Sequence, residues 1–334
     1  MSLVVMRCQP LRRALCINIE MDNMTFISNT KNIDSIKEEY SVFLNLLEPI
    51  IKKIRRRSDL RNTKLWAIKR NLDKFDELSI EQQNKLVSIV VKYVLVNNIL
   101  NPVHEIEITN KEVLNLITQG FYFDDSDQKY NDYFFELIVA SRFLNEKKPS
   151  KINLGTICDV IIDNELAIEC KYIHKKENLY HNIEYAMKQV DNRVESNLAQ
   201  YGFVALDISN VIDFEAEREF ARVHFNRFYD DNRYGKDFVG ILNLEGFKVP
   251  VKERFLSAAR DVFLSAIEGH CLDKDIRENT RAILIQINTS FSVETPSEII
   301  PVPFRFLDHY INPNLDSLES NKIKQRIMSL CKGI

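Results

Sequence analysis

Glycine and proline are scarce, at 8 and 9 residues in a chain of 334. With so few breakers the backbone should run in long regular elements, most of them helical. Cysteine is sparse as well. Cys8, Cys16, Cys158, Cys170, Cys271 and Cys331 are scattered, and no two form a CxxC pair. That argues against a zinc ribbon or a disulfide scaffold and points to a reducing compartment. No apolar run approaches the roughly 18 residues of a membrane span, so no membrane partner is expected. Strong net charge is missing too. The formal value of −3 neither predicts nor excludes a nucleic-acid partner. GxSxG, Walker A and GxGxxG motifs are absent, which leaves esterase, NTPase and dinucleotide-binding readings without support.

What is present fits a globular chain, with 45% hydrophobic and 28% charged residues. The length allows one large domain or two ordinary ones. A soluble, cytoplasmic protein is the expectation. Arg7, Arg12 and Arg13 precede the first acid, Glu20, so the start faintly resembles a transit peptide. Arginines interrupt its apolar stretches too often for a secretory signal. Residues 1–30 are better read as a disordered or mis-started leader ahead of Met21 or Met24.

From about Ile33 to Ile117 the pattern is mostly helical. Val42, Leu46, Leu47, Ile50, Ile51 and Ile54 form one stripe at helix spacing. Pro49 falls inside it, where a kink or break is expected. Leu86, Ile89, Val90, Tyr93 and Val94 form a second stripe, broken by Asn101-Pro102. The acidic stretch Asp124 to Asp127 marks a boundary, so 31–122 reads as a helical region. Beyond it, residues 131 to 146 form a nearly all-apolar helix that ends before Pro149. Two short apolar runs, Cys158 to Ile162 and Leu166 to Ile173, flank Asp163-Asn164, which suits a tight turn. An amphipathic helix carries Ile183, Met187, Val190, Val194 and Leu198. Gly202 to Ser209 reads as a buried strand, residues 213–229 and 251–268 as helices, and Arg281 to Ser290 as another strand. This order predicts an α/β fold, a sheet with helices on its faces.

Alternation along a strand puts Glu169 and Lys171 on one face and Ile168, Cys170 and Tyr172 on the other. Antiparallel pairing of the two short runs brings Asp159 beside Glu169. Two carboxylates and an ammonium then converge at a sheet end. Phosphodiester hydrolysis calls for such a set. Carboxylate oxygens suit Mg²⁺, with Mn²⁺ able to substitute, and such a site takes substrate phosphate as a further ligand. A lysine beside them can orient the attacking water and offset charge on phosphorus. Glu136 sits among Phe134, Phe135, Leu137, Ile138, Val139 and Ala140, where a lone carboxylate would be costly, so it needs a partner. Gln189 lies on the later helix, in line with Tyr185, Ala186 and Arg193, and can reach the strand ends.

The stretch GTICDVIIDNELAIECKYI, Gly155 to Ile173, follows a Glu-bearing helix and precedes a helix containing KQ. It resembles the PD-(D/E)XK nuclease superfamily over roughly residues 130 to 210. The resemblance implies a restriction-endonuclease-like αβββαβ core with a mixed sheet, spanning about 123–300, with 301–334 as a C-terminal extension. It further implies Asp159 and Glu169 as metal ligands, with Glu136 as the helix acid. Lys171 becomes the catalytic lysine and Gln189 the auxiliary glutamine. Cys158 stands where the pattern often has proline, which removes no chemical group. The expected activity is Mg²⁺-dependent hydrolysis of DNA, with RNA as the second alternative, in the manner of a restriction or phage-defence effector.

Between Lys52 and Arg70 lie nine basic residues and one acid, Asp59. Lys52, Lys53, Arg55, Arg56, Arg57, Arg61 and Lys64 could track a phosphate backbone with Trp66 as a stacking surface. A solvated helix face with Trp66 in the core weighs equally. His174 and His181 lack the spacing of paired helical zinc ligands and read as exposed loop residues. Asp207 reads as a strand-end cap. A catalytically silent binding module, or an effector awaiting a partner protein or a homodimer, stays open beside the nuclease.

Overall fold

The computed structural model describes residues 33–54, 60–100, 106–107, 130–143, 151–154, 159–231, 238–294 and 299–332. The leader, Arg55 to Arg57 and the Asp124 to Asp127 boundary lie outside the described residues. The chain is α/β, and no described helix is long and apolar enough to cross a membrane.

Helices α1 (Ile33–Ile54), α2 (Lys64–Asp73), α3 (Ile80–Leu95) and α4 (Asn97–Leu100) come first. Strand β1 (Ile106–Glu107) and helix α5 (Tyr130–Ser141) follow, then strands β2 (Ile152–Asn153), β3 (Val160–Ile162) and β4 (Leu166–Tyr172). Helix α6 (Leu179–Glu195) leads to β5 (Tyr201–Asp207). Helices α7 (Glu215–Asp230), α8 (Phe238–Asn243), α9 (Glu245–Ile267) and α10 (Leu272–Asp275) lead to the long pair β6 (Thr280–Glu294) and β7 (Ile299–Ile311). Helix α11 (Ser317–Lys332) comes last.

The strands form one seven-stranded mixed sheet in sequence order. β2, β3 and β4 are antiparallel neighbours, β4, β5 and β6 are parallel, and β7 returns antiparallel to β6. Parallel neighbours need crossover connections, and here α6 and the α7–α10 run supply them. Alternation along each strand feeds two separate cores. On one face Ile168, Cys170, Phe203, Ala205 and Leu284 pack against α1, α3 and α5. On the other Val204, Leu206, Ile283, Ile285 and Ile287 pack against α6, α7 and α9. The result is three layers, helices on sheet on helices.

Local chemistry explains the turns that matter. Asp163 and Asn164 both adopt φ of 54°, and the Glu165 N–H donates to the Ile162 carbonyl at 3.0 Å. Two left-handed residues closing a hairpin match the twist of the strands they join, and Asp and Asn tolerate that conformation best after Gly. Ser79 and Gln82 form a reciprocal capping box at the start of α3.

Three expectations shift. The buried face of α1 is Ile36, Tyr40, Phe43, Leu44, Leu47 and Ile51, while Val42 is 45% exposed. The stripe is rotated because Tyr40 and Phe43 bury more area than Val42 could. Pro49 is exposed and α1 runs through it unbroken. The boundary at residue 300 falls inside β7, which pairs with β6 from Ile299 to Ile311. α11 belongs with the sheet as well, since Ile323 and Ile327 join its core and Arg326 Nη1 meets Glu165 Oε2 at 3.0 Å.

Gly202 fixes how closely α6 lies on the sheet. A Cβ there would stand 2.5 Å from Val190 Cγ1 and 2.9 Å from the Ala167 carbonyl oxygen. The backbone contact cannot yield cheaply. Gly202→Ala should therefore destabilise the fold by about 1–3 kcal/mol, read as a lower urea midpoint at unchanged slope.

Candidate active site

Asp159 and Glu169 meet because of strand parity and register. Val160 pairs with Ile168 across β3 and β4. One step further along the same register, Asp159 stands opposite Glu169. Its Oδ2 accepts the Cys170 backbone N–H at 2.6 Å. The Asp159 carboxyl also stands within hydrogen-bonding range of the Glu169 carboxyl. Lys171, two residues along β4, places Nζ 3.8 Å from Asp159 Oδ2 and 3.9 Å from Glu169 Oε2. The three residues expected to converge do so.

Glu169 is fully buried, at 0% exposure. A carboxylate there requires a counter-charge, and it comes from α6: Arg193 Nε donates to Glu169 Oε1 at 3.2 Å. The same face of α6 brings Tyr185 and Gln189, at spacings of four residues. The Tyr185 ring lies 5.7 Å from Lys171 Nζ and is 54% exposed. Gln189 is partly buried, and its Oε1 is buried with no hydrogen-bond partner. It lies on α6 between Tyr185 and Arg193, which touch Lys171 and Glu169.

Helix α5 contributes from the other side of the β4 edge. Asp132 Oδ1 lies 3.3 Å from His174 Nε2. Burial raises the Asp132 pKa, opposed by His174 and Lys171, and the charge on Asp159 raises it further. Asp132 therefore feels both Asp159 and Lys171. Glu136, one turn along, is only partly buried, and its charge reaches the Cys170 thiol. The desolvation reasoning that singled out Glu136 applies with more force to Glu169. α5 is itself anchored by its end. Arg142 Nη2 donates to Gln286 Oε1 at 2.6 Å, and Gln286 Nε2 donates to Asp207 Oδ2 at 3.1 Å. Asp207 Oδ1 accepts from the Ser209 N–H at 3.0 Å, the cap expected of it.

Sequence reasoning set Tyr185 and Arg193 in line with Gln189 but gave them no role, and it did not single out Asp132. Asp132 could have been found one turn before Glu136.

The basic segment divides. Lys52 and Lys53 are exposed at the end of α1, with Lys52 paired to Glu48 at 2.7 Å, and Arg61 is exposed. Arg55, Arg56 and Arg57 lie outside the described residues. Lys64 is buried at 6% exposure, its Nζ 5.7 Å from the Tyr93 ring and 6.0 Å from that of Phe134. It cannot present its charge to a polyanion, because the α1–α3–α5 layer encloses it. Trp66 is partly buried and packs against the same core.

Mg²⁺ fits the donor set in a limited way. Among the described residues no three His, Cys, Asp or Glu side chains form a ready cage. Asp159 and Glu169 supply two adjacent carboxylates, and Mg²⁺ binds through one or two carboxylates while keeping waters and substrate oxygens. Gln189 Oε1 is a further oxygen without a partner. No family model matches the chain, and neither a curated protein nor a solved structure matches it significantly.

Burial raises the Asp159 pKa, and Lys171, the Cys170 N–H, Glu169 and Arg193 only partly offset this. A carboxyl whose folded pKa is raised stabilises the fold below its unfolded pKa, and loses that contribution as pH rises through the folded value. Asp159→Asn should thus raise the thermal midpoint of the metal-free protein at pH 7 by about 2 °C, on the order of 1 kcal/mol. The gain should fall away as pH drops through the carboxylate range and the wild-type carboxyl takes up its proton. Removing Arg193 acts in the opposite direction. Arg193→Met strands Glu169 and should cost about 3–5 kcal/mol, measured by chemical unfolding, with Glu169→Gln in the same chain restoring part of it.

Proposed function

We propose that this chain is a metal-dependent nuclease, a phosphodiester hydrolase with a restriction-endonuclease-like core and DNA, ahead of RNA, as the favoured reading of its substrate. The observation that carries the reading is the meeting of Asp159, Glu169 and Lys171, two carboxylates each within 4 Å of one ammonium. The order α5, β2–β3–β4, α6, β5 supports it, since it is the αβββαβ order the sequence resemblance implies. So does Tyr185, an exposed ring beside the lysine, which suits stacking against a base.

The chain's own residues divide the work by their contacts. Asp159 and Glu169 form the cation site, and Glu136 adds negative charge beside it. Arg193 supplies the counter-charge to Glu169 in its fully buried position. Lys171 sits where it can hold the attacking water and offset charge developing on phosphorus. Gln189 presents an oxygen between Tyr185 and Arg193. Mg²⁺ bound there would polarise the scissile phosphate and steady the leaving oxygen. The exposed Lys52, Lys53 and Arg61 would add positive charge toward the polyanion, and salt should weaken that binding steeply.

The test is cleavage of single- and double-stranded DNA and RNA in Mg²⁺ or Mn²⁺, beside Asp159→Ala and Lys171→Ala. Each substitution should lower the cleavage rate by about 10²-fold or more. Cleavage that persists unchanged in both variants would sink the assignment. A wild-type protein with no divalent-cation shift in thermal midpoint would favour the silent binding module instead.

A further inference from the structure

We infer that His174 is the proton donor to the leaving oxygen, with Asp132 as the residue that positions it. This rests on the nuclease reading. His174 follows β4 by two residues and brings its ring to the same end of the sheet as Lys171. Three contacts hold it. Nε2 faces Asp132 Oδ1 at 3.3 Å, the ring packs edge-on to Tyr172 with centroids 5.1 Å apart, and its carbonyl accepts from Asn210 Nδ2 at 3.3 Å. The ring therefore has a fixed orientation while remaining 33% exposed, and Asp132 is 45% exposed. A loop histidine with no task would not need an ordered carboxylate, an aromatic wall and a tethered backbone.

Position and chemistry agree. Asp132 interacts electrostatically with both Lys171 and Asp159, so the pair borders the hydrolytic residues. Asp132 from α5 is the charged group against the imidazole, and Asp132 in turn feels Lys171 and Asp159; Tyr172 packs on the ring and Asn210 holds its carbonyl. Asp132 selects Nε2–H as the inward-facing proton and leaves Nδ1 for the substrate. In the step, a water oxygen bonds to phosphorus and an ester P–O bond breaks, its electron pair passing to the leaving oxygen. That oxygen takes the Nδ1 proton of the imidazolium. The attacking water releases one proton to solvent, and solvent returns one to Nδ1 before the next turnover. Nε2–H stays on Asp132 throughout. General acids of this kind contribute about 10²–10⁴-fold.

Sulfur in place of the bridging oxygen provides the test, because a thiolate leaves without protonation. Three DNA duplexes would be compared under single-turnover conditions with saturating enzyme and Mg²⁺. One is unmodified, one carries sulfur at the 3′ bridging position, and one at the 5′ position. His174→Ala should slow the unmodified duplex by about 10²-fold or more and slow one of the sulfur-bridged duplexes less than about 3-fold. Asp132→Asn should show the same substrate dependence with a smaller defect, which loss of a merely structural contact would not produce. Equal slowing on all three duplexes, or no slowing on the unmodified one, overturns the assignment of His174 even if Asp159→Ala is inactive. If Asp159→Ala cleaves as fast as the wild type, the nuclease reading fails and this inference with it.

Discussion

A fully buried carboxylate, Glu169, governs the architecture around the site. An isolated charge in that position would cost several kcal/mol, so the fold must supply a partner at fixed distance. Arg193 does so from α6, and α6 can approach only because Gly202 lacks a side chain beneath Val190. The ion pair thus couples helix placement to the charge state of β4. It also explains why α6 presents Tyr185 and Gln189 to the same place, since residues four apart share a helix face.

The second constraint is parity. β4 alternates between two cores, with Ile168 and Cys170 facing α5 and Ala167 and Glu169 facing the opposite side. A one-residue slip of β4 would drive Glu169 and Lys171 into the apolar layer beneath α5. The Asp163-Asn164 turn holds that register, and the Asp163 carboxylate reinforces it by accepting the Lys151 N–H at 2.8 Å. Just before β3, which starts at Val160, Asp159 accepts a β4 backbone N–H with a side-chain oxygen. The carboxylate is anchored at one oxygen by backbone, which leaves little rotational freedom to be lost when a ligand binds.

Much of this was legible because it is local. The Asp163-Asn164 turn, the pairing of the two apolar runs and the shared face of Glu169 and Lys171 all follow from periods of two and from turn chemistry. The stripe of Ile183, Met187 and Val190 on α6 follows from a period of 3.6, and Gln189 could be placed beside it. Long-range features were harder to see. Nothing near Glu169 in the chain announces Arg193, 24 residues away, as its counter-charge. The weight placed on Glu136 came from its apolar sequence neighbours, yet helix neighbours point in different directions, and the side chain is only partly buried. Lys64 looked like part of a basic surface because charge counts along a sequence carry no information about which side faces inward.

The sequence by itself determined the elements and the chemistry available to them: a mixed α/β chain with two carboxylates and a lysine on neighbouring strands. Periodicity and turn preference act over a few residues, so these are readable in one dimension. The tertiary structure decided burial and partnership. It buried Glu169 rather than Glu136, enclosed Lys64 under α1, α3 and α5, and carried β7 and α11 into the sheet. It also set Asp132 against His174 across 42 residues. These outcomes depend on which faces the layers present to one another, and that is settled only when the two cores close on the sheet.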